Sequence, residues 1–267
     1  MEWRFLGQRL ALVPTMGAHH AGHQSLIRAA KASGARVLVS LFVNPAQFGP
    51  GEDLAAYPRN PERDAELAGA AGADVLFMPD PHAMYAPEHA TWVEAPALAR
   101  KLCGLSRPEH FRGVCTVVLK LLLLSQATLA VFGEKDWQQL AIIRRMVRDF
   151  NIPVEILGCP TIRETDGLAL SSRNAYLTSE ERAQASQLQA GLQQARELAR
   201  RGERSASVLY AAVRAYWTGH LPLGREEYLS LVHPHSLENM DTLGESAVMA
   251  CAVRLGKARL IDNILLP

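Results

Sequence analysis

The stretch Arg9–Val43, "RLALVPTMGAHHAGHQSLIRAAKASGARVLVSLFV", decides the fold. "RLALV" (9–13) is a short apolar run of strand type. "HQSLIRAAKASG" (23–34) has helical spacing and stops at Gly34. "RVLVSLFV" (36–43) is apolar almost throughout, as a strand covered on both faces must be. Strand, helix and strand in succession predict a βαβ unit and a parallel sheet.

The alternation continues. "NPERDAELAGAAG" (60–72) reads as a helix with Asn60 as N-cap, Pro61 at the first helical position and Gly72 as stop. A strand at 74–78 follows, then a helix at 113–126, a strand at 128–133, a helix at 136–151 and a strand at 153–159. The expected class is α/β: a Rossmann-like doubly wound parallel sheet that binds ligands outside the carboxyl ends of its strands. The piece 79–96, "PDPHAMYAPEHATWVEAP", interrupts the alternation, and long structured loops of this kind serve as lids or binding loops. The pattern changes near Thr178. One long helix is predicted over 178–203, opened by a Thr178–Glu181 capping box, then a helix over 205–220 and three strand-like runs. The chain is therefore divided into a Rossmann-like domain, 1–177, and a smaller α+β domain, 178–267.

Composition sets limits on partners. Of the 267 residues 48% are hydrophobic and 21% charged, with a net charge of +1, so neither disorder nor nucleic-acid or membrane attraction is indicated. Arg144, Arg145 and Arg148 are the only basic cluster, and they read as a solvated helix face. The most apolar run, "VCTVVLKLLLLSQATLAVF" (114–132), is broken by Lys120, Ser125 and Gln126. It reads as a buried helix and a strand, not a membrane span. Cys103, Cys115, Cys159 and Cys251 show no zinc spacing and read as free thiols of a reducing, cytoplasmic environment. "MEWRFLGQRLALVP" has no apolar signal core.

Four stretches carry candidate chemistry. "HAGH", His20 to His23, opens a helix just after a strand, where backbone N–H groups and the helix dipole favour phosphate. Two imidazoles three residues apart there can both donate to phosphate oxygens, and Gly17 and Gly22 allow a close backbone approach. A bland polar turn explains the same residues, and a metal would need more ligands than His19, His20 and His23. "FGEKDWQQL" (132–140) puts Lys135 at a strand's carboxyl end, with Gln138 and Gln139 in the following helical turn. "RETDGLALSSRN" (163–174) offers Ser171, Ser172 and Arg173, a grouping suited to a triphosphate. "FVNPAQFGPGEDLAAYPRNPERD" (42–64) offers Asn44 and Gln47 beside apolar residues, as in a small uncharged pocket. Asp53 and Asp64 are carboxylates that could approach Mg²⁺, but each reads first as a cap or surface acid.

Together "VPTMGAHHAGH", "FVNPAQFGPGEDLAAYPR", "SRPEHFRGV", "FGEKDWQQL", "DGLALSSRNAYL" and "RLIDN" resemble the pantoate–β-alanine ligase family, in the family's order and from Val13 to Asn263. H-x-G-H alone belongs to a wider nucleotidyltransferase superfamily. The resemblance implies ATP-dependent condensation of pantoate with β-alanine through a pantoyl adenylate, releasing pyrophosphate and then AMP. It implies catalytic roles for His23, His20 and Lys135, with His23 as proton donor. It implies an ATP site formed by Thr15, Met16, Gly17, His20, His23, Gly133, Glu134, Lys135, Asp136, Ile162, Leu170, Ser171, Ser172 and Arg173. Gln47, Gln139 and Asn44 would hold pantoate and β-alanine. Mg²⁺ would arrive with ATP, Asp64 being the carboxylate candidate for it. The second domain would close over the site, and the protein would be a cytoplasmic homodimer without nucleic-acid or membrane partners.

Several positions depart from the family pattern. His19 stands where Leu is usual, Ala21 where an acid is common, and Cys103 where Glu is usual. The chain starts late, so a helix ahead of the first strand is expected to be missing or rewritten. Two other readings use the same motifs: an H-x-G-H enzyme that transfers AMP to a small acceptor and stops there, and a non-enzymatic nucleotide sensor. The neutral pocket of Asn44, Gln47 and Gln139 favours a small hydroxy acid over an acceptor phosphate.

Overall fold

The computed structural model describes residues 7–267. The residues that open the chain, 1–6, on which the expectations of a late start and of no signal core rest, lie outside the described residues. The chain forms two compact units. The first takes the chain through Arg100, with Gly104–Glu134 and Ile142–Pro160; the second holds Lys101–Cys103, Lys135–Ala141 and Thr161–Pro267.

Five strands make the sheet of the first unit: β1 (Leu10–Thr15), β2 (Arg36–Leu41), β3 (Val75–Phe77), β4 (Leu129–Gly133) and β5 (Glu155–Cys159). The intervening helices are α1 (Ala21–Ala32), α2 (Pro61–Ala71), α3 (His110–Ser125) and α4 (Trp137–Asp149). All strand pairs are parallel, in the order β3-β2-β1-β4-β5, with Leu12 opposite both Leu38 and Ala130. The strand order reverses between β1 and β4, so their carboxyl ends flank the switch point where such sheets bind ligands.

Local chemistry places these elements. Asn60 Oδ1 accepts the Arg63 N–H at 3.1 Å, Pro61 occupies the first turn of α2, and Gly72 ends it with φ of 106°. The apolar run resolves as the sequence predicts. Gln126 takes a left-handed conformation after α3, and the chain re-enters the sheet as β4. Among the described residues no helix is long and apolar enough to cross a membrane. Ala11, Val13, Ile27, Ala30, Val37, Val39, Ala68 and Val131 form one core cluster, which seats α1 and α2 on the sheet. Leu12, of opposite parity, is buried as well, and α3 packs on β1.

The second unit contains α5 (Ser179–Ala185), α6 (Gln187–Arg200), α7 (Ala206–His220) and the antiparallel strands β6 (Gly224–Val232), β7 (Ala247–Leu255) and β8 (Ala258–Leu266). The capping box is present: Glu181 N–H donates to Thr178 Oγ1 at 3.3 Å and Thr178 N–H to Glu181 Oε2 at 2.8 Å. The single helix expected over 178–203 is two helices. Ser186, with ψ of −24°, has the tighter geometry of a 3₁₀ turn and interrupts the run. Leu188, Leu192, Leu209 and Val213 pack with Met249, Val253, Leu260 and Ile264 of the sheet. A side chain at Gly191 would place Cβ 2.1 Å from Trp217 Nε1, which donates to the Leu188 carbonyl. Glycine is thus what lets α6 and α7 touch.

Candidate active site

β1 delivers the chain into a turn, Met16 to His20, that no ordinary backbone would make. Gly17 has φ of +89°, and a Cβ there would lie 2.8 Å from both Asp64 Oδ2 and Leu41 Cδ1. Asp64 is why the turn is tight. Its Oδ2 accepts the Ala18 N–H at 3.0 Å and its Oδ1 the His19 N–H at 2.7 Å. The carboxylate read from sequence as a cap or surface acid is buried and anchors this loop. Both its oxygens are engaged with backbone N–H groups.

His19 is buried in the same network. Its Nδ1 lies 3.1 Å from the Asp64 carbonyl and its Nε2 2.9 Å from Thr15 Oγ1, whose hydroxyl also reaches the Ser40 carbonyl at 2.8 Å. Burial lowers the pKa of His19 below its ordinary value, outweighing the pull of the Asp64 carboxylate and backbone in the other direction. A polar ring is thus buried here with a polar atom facing each nitrogen.

The motif histidines cap α1. His20 is the N-cap and its Nδ1 accepts the Gly22 N–H at 3.1 Å, while His23 Nδ1 accepts the His20 N–H at 3.4 Å. The two rings stand 4.2 Å apart between centroids. This is a capping box built from imidazoles in place of the usual hydroxyl and carboxylate. Because each Nδ1 accepts from the backbone, each neutral ring carries its proton on Nε2. Two Nε2–H donors at a helix entrance are the groups that phosphate oxygens require.

Behind the loop, Asn44 is almost wholly buried. Its Oδ1 accepts the Ala46 N–H, and its Nδ2 donates to the Gly113 carbonyl and to Gln47 Oε1, both at 3.1 Å. Gln47 Nε2 lies against Met16 Sδ. The sequence candidates Met16, Gly17, His20, His23, Asn44 and Gln47 therefore lie in one continuous set of contacts with Asp64 and Gly113.

The remaining candidates lie on the chain after β4. Gly133 ends the strand and Glu134–Asp136 form a 3₁₀ turn leading into α4. In the second unit Asn263 Nδ2 donates to the Lys135 carbonyl at 2.9 Å, fixing the backbone of that lysine. Among the described residues no carboxylate pairs with the Lys135 ammonium. Gln138 is spent on structure: its Nε2 donates to the Lys101 carbonyl at 2.7 Å and its Oε1 accepts the Cys103 N–H at 3.0 Å. That leaves Gln139, half-buried, as the substrate candidate of the pair.

The loop with Ser171, Ser172 and Arg173 is built by pairing. Leu170 N–H donates to the Ile162 carbonyl, and Ser171 Oγ caps the short 3₁₀ helix Ser172–Tyr176 by accepting the Arg173 N–H at 3.3 Å. Arg163 is clamped by Asp262, Nη1 to Oδ2 at 2.7 Å and Nη2 to Oδ1 at 2.8 Å. Arg182 bridges Asp166 and Glu164, each at 2.6 Å, and the Arg182 contact holds Asp166 below the usual carboxylate range. The motif "RLIDN" thus finds its reason in Asp262 and Asn263, each of which holds a candidate loop from outside it.

Cys103, Cys115, Cys159 and Cys251 are free and buried, and burial pushes the Cys115 thiol up to about 12. Among the described residues no three His, Cys, Asp or Glu side chains group as metal ligands.

A parallel sheet whose first strand leads through a glycine turn to paired imidazoles at a helix entrance defines an α/β protein with an H-x-G-H motif beside the sheet's switch point. The chain belongs to the pantoate-beta-alanine ligase family, whose model matches residues 1–265. It is 63% identical over 264 residues to the pantothenate synthetase of Desulfovibrio desulfuricans, covering 99% of this chain and 94% of the relative. The pantothenate synthetase of Oleidesulfovibrio alaskensis is 61% identical over 266 residues, covering 100% and 95%. Among solved structures, the pantothenate synthetase of Thermus thermophilus superposes with a TM-score of 0.92 at 46% identity, covering 96% of this chain and 93% of that one. The pantoate-beta-alanine ligase of Francisella tularensis, complexed with beta-gamma ATP and beta-alanine, gives 0.79 at 35% identity, covering 97% and 90%.

Proposed function

We propose that this protein condenses pantoate with β-alanine at the expense of ATP. A pantoate carboxylate oxygen attacks the α-phosphorus of ATP, and the bond to pyrophosphate breaks. The β-alanine amine then attacks the acyl carbon, loses a proton, and AMP leaves. Charge builds on the phosphate oxygens in the first step, and preorganised donors lower its cost. The observation that carries the reading is the imidazole capping box. It fixes His20 and His23 with Nε2–H as donor, at an anion-favouring helix terminus.

Lys135 supplies a cation with no carboxylate partner among the described residues, and Thr15 to Gly17, Gly133 to Asp136, Ile162 and Leu170 to Arg173 complete the nucleotide set. Gln47 and Gln139 offer neutral groups to pantoate and β-alanine, while Asn44, expected to hold substrate, is spent on Ala46, Gly113 and Gln47 and so supports Gln47 instead. Mg²⁺ enters as part of the ATP substrate and is held mostly by phosphate oxygens, since Asp64 is already engaged with two N–H groups. The family likeness supports a cytoplasmic homodimer.

Purified protein given ATP, Mg²⁺ and pantoate should exchange labelled pyrophosphate into ATP before β-alanine is added. Release of ADP, or exchange indifferent to pantoate, would contradict an adenylate mechanism. Product that retains AMP after β-alanine is supplied would favour the simple AMP-transfer reading.

A further inference from the structure

The motif "SRPEHFRGV" has no role in the reaction as described, yet Arg107 and His110 within it both reach the main chain of Gln47. We infer that Arg107 and His110 are positioning residues that set Gln47 so that it presents an N–H donor to substrate. This rests on Gln47 holding pantoate, as proposed above.

Two donors meet at the main-chain carbonyl of Gln47, Arg107 Nη2 at 3.2 Å and His110 Nδ1 at 2.8 Å. Arg107 Nη1 lies 3.2 Å from His110 Nε2. A carbonyl only accepts and a guanidinium only donates, so Nδ1 of His110 carries the proton and Nε2 accepts. Arg107 is itself fixed. Its Nε donates to Glu52 Oε1 at 2.7 Å and its Nη2 to Oε2 at 2.5 Å, with both side chains largely buried. The cation is already matched by a bidentate carboxylate, which makes it a strut and not an anion site.

The next turn of α3 completes the arrangement. A Cβ at Gly113 would lie 2.2 Å from the Ala46 carbonyl oxygen, so glycine lets the helix backbone reach the Pro45–Gln47 turn. There Gly113 accepts from Asn44 Nδ2, and Asn44 Nδ2 also donates to Gln47 Oε1. Since Asn44 Oδ1 accepts the Ala46 N–H, the orientation of the Asn44 amide is decided, and that of Gln47 follows. Both oxygens of Gln47 are occupied from α3 and its neighbours. Of the two N–H groups on Nε2 one faces Met16 Sδ, and the other is what Gln47 can offer, which suits an acceptor such as a carboxylate or hydroxyl oxygen.

The test is pantoate-dependent ATP–pyrophosphate exchange with His110→Ala, His110→Asn and Gln47→Ala. His110→Ala should raise KM for pantoate by about tenfold while KM for ATP stays within about twofold. His110→Asn, which keeps a donor near the place of Nδ1, should recover most of the loss. A parallel rise in both KM values, or no rescue by Asn, overturns the inference. If Gln47→Ala leaves KM for pantoate unchanged, the substrate reading falls and the inference with it. If Gln47→Ala raises it and His110→Ala does not, the inference alone falls. Should His110→Ala fail to fold, ¹⁵N spectra of the wild-type ring decide: a proton on Nδ1 supports the assignment, and the Nε2–H tautomer overturns it.

Discussion

Asp64 and His19 hold each other twice: the Asp64 carboxylate accepts the His19 N–H at 2.7 Å, and the Asp64 carbonyl faces His19 Nδ1 at 3.1 Å. The pair joins α2 to the turn that precedes the motif histidines. The turn's shape is therefore set from a distant helix as well as by Gly17 within it.

Replacing Asp64 by Ala leaves two loop N–H groups without their charged acceptor, in a buried setting. The expected cost is about 3 kcal/mol of unfolding free energy, from the loss of charge-assisted hydrogen bonds. The exchange activity should fall with it, because the start of α1 is no longer fixed. Urea unfolding and exchange rates measured on one preparation check both. Unchanged stability would show that the loop holds without its anchor.

His23→Ala tests the donor. Loss of a general acid or phosphate donor of this kind costs on the order of 10²–10⁴ in rate. The same change removes half of the capping box and should lower stability by only about 1 kcal/mol. A large loss of exchange with a small shift of the unfolding midpoint is the expected result. Wild-type exchange in this variant would remove His23 from the mechanism.

Asp74 predicts how the sheet responds to acid. Burial pushes its carboxyl up, but hydrogen bonds from Lys31, the Val37 N–H and Arg36 outweigh this and hold it at about 2, below its ordinary 3.8. A depressed carboxyl contributes stability above its unfolded pKa and loses it as pH falls through the folded one. The contribution should fade between roughly pH 4 and pH 2. Asp74→Asn should be less stable than wild type at neutral pH, with the difference closing in that window. A constant difference across it would mean that Asp74 acts through shape and not charge.

The parallel sheet was legible because its strands are apolar runs and its helices carry local caps, as Asn60, Pro61 and Gly72 do for α2. The candidate loops were legible as motifs for the same reason: their residues are neighbours in sequence. What holds them was not. Asp64 lies 45 residues from His19, and Asp262 lies 99 from Arg163. No local signal marks a carboxylate as the partner of a distant backbone N–H, and Asp64 sits in a helical first turn where an acid is expected anyway. The break at Ser186 escaped because serine is tolerated within a helix, and nothing local there stops one. Residue type alone does not separate Gln138 from Gln139; the resemblance names Gln139, and in the structure the Gln138 amide is taken up by Lys101 and Cys103.

Asp262 supports the last prediction. Its side chain is 1% exposed and pairs with both terminal nitrogens of Arg163, and its Oδ1 also accepts the Asn263 N–H at 2.7 Å. Removing one member of a buried pair leaves an uncompensated charge, at a cost of about 3–5 kcal/mol. Asp262→Ala should therefore lower the unfolding midpoint strongly. Arg163 also donates to the Gly167 carbonyl at 3.1 Å, within the loop that leads to Ser171 and Arg173. Loss of the clamp should loosen that loop, so KM for ATP should rise more than KM for pantoate. Asp262→Asn keeps the shape and one acceptor, and should fall between Ala and wild type in both measurements. Equal rises in the two KM values would assign Asp262 to stability alone.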